Sequence, residues 1–397
     1  MEIPAAKEHV RAEVARLSEL LLDVSHRIWD HPELCYEEHH AHELLADTLD
    51  EAGLEVRRGA FGLPTAFEAR AGSDGPVVAI CCEYDALPGI GHACGHNVIA
   101  AAGLGAGLAA ASLAEEIGGR VVVLGTPAEE GGGGKILMIE RGAFDGVDAA
   151  MMVHPADADL DSFWAIAIHE LRCTFHGRAA HAAAAPEQGV NALDAAVLAY
   201  MGVAALRQHI APHERIHGIF THGGNKPNVV PELASMQWYV RSATRETLAA
   251  LEPRVVAAIE AGALATGAEV ELHWQHRPYS DLRDNWPLLE AYALNAAALD
   301  RVLQSKTTRP EFLGSTDMGD VSHHVPAIHP MIKVAPEGVA IHSPDFAVHA
   351  RGEAGDRAVL DGAVAMAQTV VDLWTDSALL ARVRAAFDHP ERSPAGP

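Results

Sequence analysis

Apolar residues recur at three- and four-residue steps between positions 7 and 30. Val10, Val14, Leu17, Leu21, Val24 and Ile28 share one face, which predicts a helix. A second helix is predicted over 37–52, stopped by Gly53. Short apolar runs predict strands near 54–58, 65–70 and 77–82. Residues 97–113 read as a helix of small side chains, followed by Gly118-Gly119. The strand 120–125 leads into Glu129-Glu130 and the glycines 131–134. Residues 135–141 then read as a helix and 149–153 as a strand. This alternation predicts an α/β fold with a mostly parallel sheet, its ligand-bearing residues at the carboxyl ends of the strands.

The pattern changes near Trp164. Residues 165–176 alternate as a strand, 189–207 form a helix with Val190, Leu193, Ala196, Val197 and Met201 apolar, and 216–223 and 235–242 read as strands. A helix over 246–266 and a strand over 269–276 complete a β-α-β-β-α-β series, the ferredoxin-like split pattern. Helix–strand texture of the first kind returns from Pro287 to Trp374. The series is therefore read as an inserted α+β domain at 167–280, within a domain made of 1–166 and 281–397. The last residues, 390–397, read as a Pro/Ser/Gly tail outside the fold. No internal repeat is found.

With 397 residues and a hydrophobic fraction of 49%, two packed cores are the natural expectation. A formal net charge of −25 argues against nucleic acid and anionic membranes as partners. No apolar run is long enough for a membrane span, and residues 1–4 do not resemble a signal peptide. Five cysteines, at 35, 81, 82, 94 and 173, form no CxxC pair, which fits a reducing cytoplasm.

Chemistry concentrates in His92-Ala93-Cys94-Gly95-His96-Asn97, where a thiol and two imidazoles fall within five positions. Cys94 and His96 at a helix start can reach one point, and the helix N-terminus favours a thiolate. A buried structural Cys beside a hydrogen-bonded His is the plain alternative. Glu129-Glu130 follows a strand, so one carboxylate can bind a cation while its neighbour handles a proton. An isolated pair of this kind is more simply a solvated turn. Thr126-Pro127 before it and four glycines after it favour a site, because glycine lets backbone approach a ligand. Gly134-Lys135 resembles a phosphate loop only superficially, with Glu129 and Ile136 where that motif needs Gly and Ser or Thr. His154 leaves the strand 149–153 and His342 follows the apolar stretch 331–335, which adds both as candidate ligands. Cys, His and Glu gathered in this way suit a borderline or soft divalent cation.

The whole set resembles the di-metal carboxypeptidase, aminoacylase and amidohydrolase family, in its branch with a Cys ligand. The resemblance spans nearly the full chain through Glu83-Tyr84-Asp85-Ala86-Leu87-Pro88-Gly89, the His92–Asn97 motif and Pro127-Ala128-Glu129-Glu130-Gly131-Gly132. The first motif and the segment from Gly314 to Ser322 are similar to the sub-branch of aminobenzoyl-glutamate hydrolase and β-alanyl-lysine dipeptidase. The resemblance implies Cys94, His96, Glu130, His154 and His342 as ligands of two divalent cations (Zn²⁺ or Mn²⁺), with the thiolate bridging. It implies Glu129 as general base and Asp85 as the acid that orients a metal-bound His. It further implies His181, in Gly177-Arg178-Ala179-Ala180-His181-Ala182, as an oxyanion donor reaching a neighbouring subunit's site. Asn228, in Pro227-Asn228-Val229-Val230-Pro231, and Arg241 are implied to bind substrate. Read alone, these three are a turn His, a turn Asn and a surface strand Arg.

The chain departs from the sub-branch at His323-His324 and at Ser343-Pro344-Asp345-Phe346, where tryptophans are usual. Those departures bear on acyl or side-chain specificity. The expectation is a homodimeric cytoplasmic metallohydrolase with a lid and dimerisation insert. It would cut the amide of N-acyl, N-aroyl or N-aminoacyl amino acids, dipeptide-like substrates included. Two rivals are a hydrolase using Cys94 as nucleophile and a catalytically silent metal- or ligand-binding protein.

Overall fold

The computed structural model describes residues 2–309 and 313–390, so all but Pro390 of the expected tail lies outside the described residues. The chain divides into two compact units, residues 2–164 with 282–390 and residues 165–281.

The first unit opens with three helices, α1 (Ile3–Arg16), α2 (Ser18–Asp30) and α3 (His39–Glu51). The periodicity over 7–30 thus runs through two helices rather than one. The break falls at Leu17, whose ψ of 0 interrupts the helix for one residue, while Val10, Val14, Leu21, Val24 and Ile28 stay buried on both sides of it. Strands β1 (Glu55–Arg58), β2 (Phe67–Ala71) and β3 (Val77–Cys82) follow, then α4 (His96–Ala111), α5 (Ala114–Ile117), β4 (Arg120–Gly125), α6 (Gly134–Glu140), β5 (Ala149–Met151) and β6 (His154–Ala156).

The main sheet has the order β1-β2-β4-β3-β5 and ends at β13 (Ala327–Ile328). β1/β2 and β2/β4 are antiparallel, whereas β4/β3, β3/β5 and β5/β13 are parallel. The parallel run positions the site, because the carboxyl ends of β3, β4 and β5 share one edge. That edge carries Glu83 and Asp85, Glu129 and Glu130, and His154. The strand expected over 149–153 stops at Met151, and His154–Ala156 pairs separately with β14 (Met331–Lys333).

Helix α4 lies against the sheet with every residue from His96 to Ala110 buried. A side chain at Gly107 would meet Val123 Cγ2 at 2.2 Å, and one at Gly103 would meet Cys82 Sγ at 2.6 Å. The small residues therefore set the depth to which the helix seats, and with it the position of Cys94 and His96 at its start. The unit closes with α9 (Trp286–Ala297), α10 (Met318–His324), α11 (Pro344–Ala350), α12 (Glu353–Thr375) and α13 (Ser377–Asp388), of which α12 packs along α4.

The second unit runs β8 (Ala167–His176), α7 (Ala192–Leu206), β9 (Arg215–His222), β10 (Leu233–Ser242), α8 (Arg245–Thr266) and β11 (Glu269–Tyr279). Its sheet is antiparallel in the order β11-β8-β10-β9, the ferredoxin-like arrangement. Alternation is strict on β8 and β10. Leu171, Cys173, Phe175, Met236, Trp238 and Val240 are buried, and they form one core with α7 and α8. Asn191 caps α7, and Thr244 with Thr247 forms a capping box on α8.

Candidate metal centre

Asp85 organises the first unit's site. It is buried beyond the end of β3, and its Oδ1 faces His96 Nδ1 at 3.1 Å. Its Oδ2 accepts from the Glu130 backbone N–H at 2.9 Å and from Cys35 Sγ at 3.3 Å. Burial opposes ionisation, but the His96 charge and these hydrogen bonds outweigh it and hold the Asp85 carboxyl down at about 2. One carboxylate thereby orients an imidazole and anchors the backbone of Glu130. With Nδ1 of His96 committed to Asp85, Nε2 is left to face the interior of the site.

His154 is set in the same manner. Its Nδ1 lies 2.8 Å from the Pro155 carbonyl oxygen, so it carries the proton. The unprotonated Nε2 then points to Cys94 Sγ, 3.3 Å away. An imidazole whose other nitrogen donates to a carboxylate or carbonyl is the usual state of a metal-binding histidine. Burial holds His154 down at about 4, so it stays neutral.

Three groups of donor atoms each lie within 4.8 Å of one another: Cys94, His96 and His154; Cys94, Glu130 and His342; and Glu83, His96 and Glu129. Cys94 belongs to the first two, which puts its sulfur where two cations can share it. Within this cluster His96 Nε2, Glu130 Oε1 and Glu83 Oε2 are buried with no hydrogen-bond partner. Buried polar atoms are ordinarily satisfied. Three such atoms converging beside a thiol and the neutral His154 imidazole fit a pair of divalent cations in both chemistry and number of donors. His342 differs from the rest in being half-exposed. Its Nε2 lies 3.2 Å from Glu130 Oε1, and its backbone is held at φ 64 by a bond from its N–H to the Ala93 carbonyl. Burial works against the Glu130 charge, but the His342 contact and the His96 charge keep its carboxyl below the usual range.

A helix-favoured thiolate at Cys94 is not what the structure supports. Cys94 precedes the cap residue Gly95 and is buried, and burial followed by the Glu130 charge pushes its thiol well above the ordinary value. Coordination by a cation, which deprotonates a thiol outright, is the force that can form the thiolate here.

Glu129 is buried beside the cluster. Burial, then the charges of Glu83, Glu130 and Asp317, raise its carboxyl well above the ordinary range. Positive charge on cations in the same few ångströms acts in the opposite sense. The turn carrying Glu129 is braced from the loop between α2 and α3. Glu38 Oε1 accepts from the Ala128 N–H at 2.8 Å, holding that residue at φ 60, and Tyr36 donates to the Gly132 carbonyl at 2.6 Å.

Sequence reasoning gave no role to Glu38, Glu83, Lys135 or Asp317. Lys135 is wholly buried between Glu83 and Asp317, so it serves side chains of its own unit rather than a phosphate. The only sign of Glu83 in the sequence is its place two residues before Asp85. His92 is buried but belongs to none of the three donor groups.

In the second unit a bridge between His181 and Val229, with Ala182 N–H on the Asn228 carbonyl at 3.1 Å, brings the segments 177–182 and 227–231 together. His181 is exposed, and its Nδ1 accepts from Ala183 and Ala184 N–H, each at 3.2 Å. Its proton therefore sits on Nε2, which leaves an outward donor. Asn228 is exposed, and Arg241 lies over the Tyr239 ring at 5.8 Å, opposite Arg215 on β9.

Comparison with known proteins agrees with this architecture. The chain is 39% identical to a mouse (Mus musculus) Xaa-Arg dipeptidase over 97% of its length and 93% of that protein. It is 31% identical to a p-aminobenzoyl-glutamate hydrolase chain of Escherichia coli (strain K12), over 90% of each. Among solved structures, an aminobenzoyl-glutamate utilization protein from Klebsiella pneumoniae shares the fold with a TM-score of 0.69 at 22% identity, covering 87% of this chain and 96% of that one. A Bacillus subtilis protein described as a dinuclear metal binding peptidase does so with a TM-score of 0.67 at 21% identity, over 90% and 99%. The family described as Peptidase family M20/M25/M40 matches residues 79–372, and the chain belongs to that family of amide-cleaving hydrolases.

Proposed function

We propose that the chain hydrolyses the amide between an acyl, aroyl or aminoacyl group and an amino acid with a free carboxylate, with two divalent cations held by Cys94, His96, His154, Glu130 and His342. The carrying observation is that the two ligand triads share one buried thiol and face orphaned donor atoms. The relatives named as an Xaa-Arg dipeptidase and an aminobenzoyl-glutamate hydrolase support this substrate class.

Bound there, the cations supply polarisation of a carbonyl and acidification of a water. Glu129 takes the proton of the attacking water and delivers it to the leaving amine nitrogen. Asp85 keeps His96 and Glu130 aimed while charge builds in the site. The Nε2–H of His181 and the side-chain amide of Asn228 donate to the developing oxyanion, and Arg241 holds the substrate carboxylate. We propose the second unit as lid and dimerisation domain, with His181 serving the partner subunit's site, and Zn²⁺ or Mn²⁺ as the cations. A chain whose five cysteines are all unpaired suits a reducing cytoplasm.

The test is a hydrolysis screen of N-acyl amino acids, aminobenzoyl-glutamate and short dipeptides with added Mn²⁺ or Zn²⁺, before and after chelation. Turnover that chelation abolishes and either cation restores is expected. Turnover that survives chelation would replace this account with Cys94 as nucleophile, and no turnover despite bound metal would make the chain a binding protein.

A further inference from the structure

The five ligands leave Glu83 unexplained. Its side chain is wholly buried just past the end of β3, and its Oε1 accepts from Lys135 Nζ at 2.5 Å. Lys135 also donates to Asp317 Oδ1 at 2.7 Å, and the Lys135 backbone N–H bonds Asp317 Oδ2 at 2.9 Å. The ammonium is thereby fixed between two carboxylates at the start of α6. A structural ion pair accounts for this much. It does not account for Glu83 Oε2, which is buried without a hydrogen-bond partner and lies 3.5 Å from His96 Nε2, itself buried and unpartnered. A lone buried carboxylate oxygen is costly, and Lys135 anchors only its twin.

We infer that Glu83, which lies with His96 and Glu129 in one donor group, is a further cation ligand that joins the Cys94, His96 and His154 position through their shared His96, and that Lys135 with Asp317 holds it there. The inference rests on the two-cation reading above and deepens it. A thiolate, two imidazoles and a carboxylate make a closed set of four protein donors, of the kind that retains a cation firmly. The other position has Cys94, Glu130 and the half-exposed His342, which leaves a coordination place for water or substrate. The pair is therefore unequal: an inner cation that stays and an outer one that meets the reaction.

Cation binding to the whole protein is followed by titration with Zn²⁺ and Co²⁺ against a competing chelator, with the Co²⁺ spectrum recorded alongside. Wild type should show a tighter and a weaker class of site. Glu83→Gln keeps an acceptor for Lys135 and should weaken the tighter class about 10–100-fold, with a changed inner Co²⁺ band and the weaker class within about threefold. His342→Ala should weaken only the other class. Two unchanged classes in folded Glu83→Gln would overturn the inference alone, leaving Glu83 as a partner of Lys135. A wild type that binds no cation would overturn the two-cation reading and this inference together. Should Glu83→Gln fail to fold, Glu83→Asp, which keeps the charge and shortens the reach, is titrated instead. An unweakened tighter class there overturns the inference as well.

Discussion

Replacing Asp85 by Asn separates geometry from charge at the centre of the site. The carboxylate accepts on both oxygens, from His96 Nδ1–H on one side and from Glu130 N–H and Cys35 on the other. An amide has one acceptor oxygen. If that oxygen faces Glu130, the NH₂ faces His96, whose imidazole must move its proton to Nε2 and can no longer bind a cation. If the oxygen faces His96, the NH₂ meets the Glu130 N–H, donor against donor. Either orientation forfeits one charge-assisted hydrogen bond, about 1.5–3 kcal/mol, and the second also strands a buried donor at about 1–3 kcal/mol. Loss of this support should also weaken cation binding about 10–100-fold. Chelator-competition titration gives the affinity, and urea unfolding of chelated protein gives the stability. Cation affinity within twofold of wild type, together with an unchanged unfolding midpoint, would refute the reasoning.

Other expectations follow from single residues. Glu129→Ala should keep its cations and lose about 10²–10⁴-fold in kcat, measured with metal content on the same samples. Gly132→Ala brings a methyl group to 2.4 Å from the Tyr36 ring and 2.7 Å from Ala128 Cβ; the turn should shift, at a cost of about 1–3 kcal/mol in urea unfolding and with reduced turnover. His42 is buried near Phe67, and burial holds its imidazole below the ordinary value. The unfolded chain then binds the extra proton, so this residue's part of the stability is present above about pH 6.5 and declines as the pH falls below it. His42→Gln should flatten that limb of the unfolding midpoint against pH, and an unaltered slope would contradict the assignment. Mixing His181→Ala with Glu129→Ala subunits should restore some turnover if the lid serves a partner; no recovery means that His181 acts within its own chain or not at all.

Local pattern carried much of the fold. The order of strands and helices in both units was legible because burial alternates or repeats with the period of each element, as on β8 and β10. The break at Leu17 was not, because no Gly or Pro marks it and the apolar stripe continues across it. Ligand types at the ends of β3, β4 and β5 were legible because parallel neighbours deliver their exits to one edge. The Glu83–Lys135–Asp317 cluster was not, since its members lie 52 and 182 residues apart and a buried Lys has no sequence signature. The setting of the Cys94 thiol was not legible for a related reason: burial and the Glu130 charge, both products of tertiary packing, raise it, and cation coordination is what would draw off its proton.

The most direct test is anomalous diffraction from crystals grown with Zn²⁺ or Mn²⁺. Two peaks per chain, about 3.5–4 Å apart with the Cys94 sulfur between them, are expected. Peaks elsewhere, or a single peak that leaves Cys94 uncoordinated, would contradict the shared-thiolate centre on which the hydrolase account stands.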